Sequence, residues 1–239
     1  MPDAIHEPAP SARAAYQPLQ HQFADLAQQQ DTSVFGMWVF IAQEVLFFGG
    51  LFTAYTIYRH AEPGAFAAGS HHLNWRIGFA NTLVLIASSL TMALAVYSAA
   101  VGRRKQIVAF LLATILLGSV FLGVKYFEYS EKIVPCLGEG SHAGCLLPGD
   151  RFDASAVHLE GAEGQRAQMF FSLYFGMTGL HALHMIVGIP IILVIALLAW
   201  RGRFGPEYHS PVEVVGLYWH FVDIIWIFLF PLFYLVGAH

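Results

Sequence analysis

Five long apolar runs decide what this chain of 239 residues can fold into. They lie near residues 34–58, 77–100, 106–129, 169–200 and 214–236. Each supplies the roughly 20 mostly apolar residues that a helix needs to cross the hydrocarbon core of a bilayer. Backbone inside lipid must satisfy its own N–H and C=O groups, and none of the runs alternates as a barrel strand would, so each is read as a spanning helix. Composition agrees. The chain is 56% hydrophobic and 12% charged, about half the roughly 25% charge of soluble domains. That excludes a disordered chain and a disulfide scaffold, and a net charge of −4 without a basic stripe speaks against nucleic acid. The expected fold class is an all-α integral membrane protein: a polar tail over 1–33, then a five-helix transmembrane domain over 34–239. The tail holds Pro2, Pro8, Pro10, Pro18 and the run Gln28–Gln30. No basic stretch leads into an apolar one there, so it reads as a mature tail and not a cleaved signal peptide.

Orientation follows from the short loops. Arg103, Arg104 and Lys105 crowd the second loop, and Arg201 and Arg203 the fourth; dense basic charge in short loops marks the cytoplasmic side. The N-terminus is then expected in the cytoplasm and His239 on the periplasmic side. Outward segments also carry Arg59, Arg76, Lys132, Arg151 and Arg166, but long translocated loops largely escape the rule. Cys136 and Cys145 fall in the outward loop, 130–168. An oxidising compartment favours a disulfide there, closing a ring worth about 2–3 kcal/mol on the chain-entropy model; two free thiols or a weak metal pair are the alternatives. With only His142 and His158 nearby and no Cys-x-x-Cys, a structural zinc has little support.

Ionisable residues inside a span each cost at least about 2.5–3.5 kcal/mol on insertion scales, so they are functional candidates by default. Glu44 sits roughly 15 Å into the first run, among Val45, Leu46, Phe47 and Phe48. Two readings stay open: a proton- or lipid-linked site, and a structural acid bonded to a neighbouring helix. Glu213, His220 and Asp223 recur at seven and three residues on the last run and can share one face. His220 and Asp223 sit roughly 9–14 Å in, close to the depth of Glu44, so a polar cluster joining the first and fifth helices is expected. His181 and His184, at i and i+3, are expected to face one side together as hydrogen-bonded packing residues. Two histidines one turn apart cannot clasp opposite faces of a haem, and no third ligand is evident for copper or zinc, so no metal or redox centre is assigned. Lys125 and Glu128, near the outer end of the third run, read as a local ion pair with the lysine snorkelling outward. Gly49, Gly50, Gly118, Gly123, Gly176, Gly179 and Gly188 read as close-packing positions between helices. Phosphate-loop spacing is missing. Five dissimilar helices argue against the paired repeats of many transporters.

The motifs resemble those of subunit III of the haem–copper respiratory oxidases. F-G-M-W-V-F-I-A-Q-E-V-L-F-F-G-G-L-F from Phe35 to Phe52 is similar to the family's first shared helix, and N-T-L-V-L-I-A-S-S-L-T-M-A-L-A from Asn81 to Ala95 to its second. L-G-V-K-Y-F-E-Y resembles the third-helix ending, G-L-H-A-L-H-M-I-V-G the double-histidine helix, and Y-W-H-F-V-D-I-I-W-I-F-L-F from Tyr218 to Phe230 the last helix. The motifs stand in family order and cover all five runs. The resemblance places Glu44 on the family's buried acid, Glu128 on the third-helix acid, His181 and His184 on the histidine pair, and Glu213, His220 and Asp223 on the last helix's polar face.

The resemblance implies two helix bundles around a lipid-holding cleft. It also implies a short five-helix bacterial form, lacking the first two helices of seven-helix members, in the plasma membrane. It implies a non-catalytic subunit of a terminal oxidase, fed by cytochrome c, which reduces oxygen to water and pumps protons. Haem and copper would lie in partner subunits I and II, none on this chain. The implied role is to support proton uptake, lipid binding and stability of the catalytic subunit. Alternatives are a quinol oxidase subunit III, a nitric oxide reductase accessory subunit and, from another class, a proton-coupled transporter. Arg59, Arg76 and Arg201, near helix ends, are candidate phospholipid-headgroup ligands, with ordinary interfacial anchoring the alternative. The outward loop, which departs from the family pattern, is a candidate contact for a donor complex.

Overall fold

The computed structural model describes residues 19–137, 143–150, 152–157 and 161–236. Residues 1–18 of the tail, and with them four of its prolines, lie outside the described residues, as do His142, Arg151, His158 and His239. Six α-helices follow in order: α1 Leu26–Ala61, α2 Pro63–His71, α3 Trp75–Ala100, α4 Arg104–Leu137, α5 Gly161–Trp200 and α6 Ser210–Tyr234. A short 3-10 turn, Ala154–Val157, precedes α5. Five of the helices, all but α2, are long and apolar enough to cross a membrane, and no strand occurs among the described residues. The described residues make an all-α membrane protein with five candidate spans.

Helix ends differ from the apolar runs because hydropathy reads the membrane while hydrogen bonding reads the helix. α1 starts at Leu26, inside the expected tail, because Asp25 accepts the Gln28 backbone N–H at 2.7 Å and caps it. Gln30 then bonds the Glu207 carbonyl at 3.2 Å, tying this end to the α5–α6 loop. α4 continues to Leu137 and α5 begins at Gly161, so the outward loop is shorter than 130–168. α2, opened by Pro63 in the first turn, replaces an expected loop. Arg166 pairs with Glu62 at 3.0 Å and links the α1–α2 corner to α5. α3 and α5 close alike: Gly102 (φ 75°) and Gly202 (φ 77°) take the left-handed conformation, with Arg103 N–H bonded to Ser98 and Arg203 N–H to Leu198, the Schellman arrangement.

α3, α4, α5 and α6 form a four-helix ring in which sequence and spatial neighbours coincide except that α6 closes against α3. α1 lies outside it against the α5–α6 edge. The described residues therefore make one bundle with an added helix, where two bundles were expected: α1 packs directly on α6 and α5 and has no second spanning helix with which to form a separate wall. What remains of a cleft is an apolar groove of about 440 Å³ between α1 and α6, lined by Trp38, Val45, Gly49 and Phe228 among others.

Lipid tails are as apolar as leucine, so van der Waals fit and polar contacts hold such a bundle together more than the hydrophobic effect does. The fit centres on α6. Trp219 and Trp226, both fully buried, cross the ring toward α4. A Cβ on Gly118 would lie 2.9 Å from Trp219, and one on Gly188 3.0 Å from both Trp219 and Tyr218. Each indole N–H is bonded to α3: Trp219 to Ser88 Oγ at 2.9 Å and Trp226 to Thr82 Oγ1 at 3.1 Å. Gly49, Gly50, Gly123 and Gly176, also expected at close contacts, face open space instead, and Gly179 meets only the Tyr129 hydroxyl at 4.0 Å.

Candidate functional site

The ionisable residues of the spans gather in three places. The first is a buried network where α4, α5 and α6 converge on the side of the disulfide loop. The buried stripe of α4 runs Leu111, Thr114, Gly118, Phe121, Lys125, Glu128, Lys132, Cys136, a three-to-four-residue step that carries the charges inward with the apolar positions. Lys125 donates to Glu128 Oε2 at 2.8 Å, to the Tyr234 hydroxyl at 2.8 Å and to the Tyr174 hydroxyl at 3.2 Å. Tyr174 and Tyr234 donate to Glu128 Oε1 at 2.9 and 2.5 Å. Lys132 adds a cation 3.9 Å from Glu128. Lys125 is only 4% exposed and lies 4.8 Å from the Trp226 ring centre. It does not snorkel: enough hydroxyls and ring faces surround it to replace water. Beside it Tyr129 and Thr178 share a hydroxyl–hydroxyl bond.

The second place joins α1 to α5. Glu44 Oε2 lies 3.5 Å from His184 Nε2. His184 Nδ1 meets the Leu180 carbonyl at 2.9 Å, so Nδ1 carries a hydrogen and Nε2 faces the acid. The contact is a close approach only, for Glu44 Oε2 forms no hydrogen bond among the described residues. Tyr218 donates to the His184 carbonyl at 2.9 Å, and Phe48 packs on the imidazole with ring centres 5.7 Å apart. His181 faces elsewhere. It is fully buried, between Phe121 and Trp226 at 5.4 and 5.2 Å between centres, with neither ring nitrogen hydrogen-bonded. Three residues advance a helix by about 300°, and that 60° offset separates the two rings. They do not act as one hydrogen-bonded pair.

The third place lies between α3 and α6. His220 Nδ1 and Ser89 Oγ are 2.7 Å apart. Asp223, 2% exposed, has the Ser89 hydroxyl within hydrogen-bonding reach but no well-formed hydrogen bond on either Oδ. A cavity of about 250 Å³ opens over these three residues. The expected union of Glu44 with His220 and Asp223 is not formed: depths match, but Glu44 turns to α5 while Asp223 turns to α3. Glu213 stands apart as well, half-exposed in the first turn of α6 and 3.1 Å from His209.

At the ends, Arg59, Arg76 and Arg201 are exposed. Arg76 lies 5.7 Å from the Trp75 ring centre and at the mouth of a groove of about 270 Å³ between α3 and α4. A larger groove, about 390 Å³, is lined by Arg104, Lys105, Val108 and Trp200, so two cations of the orienting loop also border an apolar groove. Cys136 and Cys145 are joined as a disulfide, Cα atoms 4.8 Å apart. Asp153 secures the loop beyond it, accepting from the Gly144 N–H at 2.7 Å and from the Ser155 hydroxyl at 2.5 Å and N–H at 3.0 Å. The Ser155 hydroxyl, then the Gly144 amide, hold its carboxyl below the usual range. Among the described residues no three His, Cys, Asp or Glu converge as metal ligands.

The chain belongs to the cytochrome c oxidase subunit III family, whose model matches residues 20–144 and 163–238 and so takes in all five spanning helices. It is 30% identical over 203 residues to cytochrome c oxidase subunit 3 of Corynebacterium diphtheriae, covering 84% of this chain and 86% of that one. It is 28% identical over 206 residues to cytochrome bo(3) ubiquinol oxidase subunit 3 of Pseudomonas aeruginosa, covering 86% of each. A haem–copper oxidase subunit I+III of Aeropyrum pernix is 32% identical over 208 residues; the match takes 84% of this chain but 22% of that longer protein.

Proposed function

We propose that this chain is a non-catalytic subunit III of a proton-pumping terminal oxidase fed by cytochrome c, seated beside subunits I and II. Haem and copper belong to those partners. The observation that carries the reading is the family match along every spanning helix. A relative named as subunits I and III in one chain supports the placement beside a subunit I. Basic loops at the α3–α4 and α5–α6 turns support a cytoplasmic N-terminus in a bacterial plasma membrane.

Within the complex the chain supports proton uptake and holds phospholipid. Glu44 and His184 bring an acid and an imidazole within 3.5 Å of each other inside the membrane, where an unpaired charge is costly. Arg59, Arg76 and Arg201 stand at headgroup depth, Arg76 beside an apolar groove that an acyl chain fills. The test is the oxidase assembled with and without this chain. Its removal lowers the oxygen-reduction rate increasingly as pH rises and protons become scarce; parallel pH profiles would remove the proton-uptake role. Native mass spectrometry through stepwise delipidation, with Arg76→Ala, reads the lipid role, and unchanged retention would end it. A quinol donor is the second reading, favoured by the similarity to the Pseudomonas aeruginosa protein. A copper-bearing second subunit in the purified complex separates the two donors.

A further inference from the structure

Asp223 lies at the middle of α6, roughly 20 Å from Ser210 at about 1.5 Å per residue, and neither of its oxygens has a well-formed hydrogen bond. The neighbouring Ser89 hydroxyl, 2.7 Å from His220 Nδ1, has a single proton and can serve at most one of His220 and Asp223. A buried acceptor left in this condition carries the full cost of its lost hydration. The cavity above it has a polar floor, Ser89, His220 and Asp223, and an apolar rim that includes Ile86, Leu90 and Ile227. Leu90 is 61% exposed on a surface that belongs to the bilayer. At about 250 Å³ the space is far larger than the roughly 30 Å³ share of one water. We propose that this α3–α6 groove docks a transmembrane helix of another subunit, which brings a hydrogen-bond-donating side chain down to Asp223.

Three observations choose that occupant. An acyl chain fills an apolar groove but has no donor, and headgroups stand about half of the roughly 30 Å core away from its midplane. Water satisfies the polar floor but leaves the apolar rim, Ile86, Leu90 and Ile227, without packing contacts. A helix covers the rim with its own apolar side chains and supplies the donor, the way polar residues join helices in membranes. The acceptor set is two Oδ atoms beside a hydroxyl and an imidazole, so the matching residue is Arg, Lys, Asn, Gln, Tyr or Trp. The inference rests on the reading of this chain as one subunit of an oxidase complex.

The test uses the intact complex in native membranes, with a photo-crosslinking amino acid at Leu90 or at Ile227. Both positions are expected to crosslink to one transmembrane segment of a different polypeptide that carries such a donor. Asp223→Leu is expected to lose that crosslink, while Asp223→Asn, which keeps an acceptor, retains it at unchanged chain abundance. Crosslinks only to lipid, only to a second copy of this chain, or none at all would overturn the docking, as would equal yields in Asp223→Leu and the unmodified protein. Haem absorbance in the same preparation is read separately. Lipid-only crosslinks in a haem-bearing complex sink the docking and leave the oxidase reading standing. A colourless preparation with the expected protein crosslink does the reverse.

Discussion

Lys125 shows how a charge survives inside the bundle. Three oxygens accept from its ammonium and four aromatic rings lie around it. Its partner Glu128 in turn holds two tyrosine hydroxyls from two other helices. Removing Lys125 takes from Glu128 its nearest cation and leaves Lys132, 3.9 Å away. Lys125→Met is expected to destabilise the protein by roughly 3 kcal/mol, the low end of the cost of breaking a buried pair, read as lower resistance to heat or SDS in detergent. Glu128→Leu, which deprives both Lys125 and Lys132 of their carboxylate, should cost more than Lys125→Met; a Lys125→Met variant as stable as the original would show that the network does not hold the helices. Lys125 was expected to snorkel outward and is buried instead, although the helical pattern already pointed inward. The step Leu111, Thr114, Gly118, Phe121 continues without a break to Lys125 and Glu128, and periodicity outweighs charge as a guide to facing. The direction taken by Glu44 was not legible, because depth along a helix says nothing of azimuth; only the packing of α1 on the α5–α6 edge turns it to His184. Ser88 and Thr82 went unread for a related reason. A small hydroxyl in a span can bond its own helix, and only the facing indole makes it a link.

Elements meet through a few tight places. Gly118 and Gly123 stand on the same helix, yet one faces the Trp219 ring at 2.9 Å from a would-be Cβ and the other faces open space. Gly118→Val should therefore cost about 1–3 kcal/mol through overpacking against a rigid ring. Gly123→Ala should be neutral or gain up to about 1 kcal/mol from helix propensity. Thermal unfolding of the two variants side by side checks this, and equal losses would contradict the packing. At the outward end, the Cys136–Cys145 disulfide fastens the loop to α4, and its reduction is expected to cost about 2–3 kcal/mol in local protection of residues 143–150. Asp153 adds a pH dependence. Its carboxyl titrates below its unfolded value, so its support is present above the ordinary carboxylate range and is lost as pH falls through the lowered value. Amide exchange at Gly144 and Ser155 should quicken in acid relative to the same amides in Asp153→Asn; identical profiles would remove the carboxylate from the loop's support. Hydropathy located all five spans but not α2 or the ends of α1, α4 and α5. Those segments are fixed by a cap, a proline and an ion pair, which act outside the apolar core.

The whole molecule is lopsided. α6 is packed on α1, α3 and α5, whereas α1 turns Phe35, Trp38 and Leu46 outward, Leu46 by 78%. Grooves open on either side of α6, and an acid with no well-formed hydrogen bond lies under one of them. A chain built this way is completed by neighbours in its membrane, in keeping with a family of oxidase subunits. The most direct measurement is a mild-detergent affinity purification of this chain from its own membranes, followed by a visible spectrum and mass spectrometry of what accompanies it. A subunit III purifies with a haem absorbance and a large multi-span partner, and a copper-bearing second subunit names cytochrome c as donor. A colourless chain that stays alone through crosslinked purification would contradict the oxidase assignment.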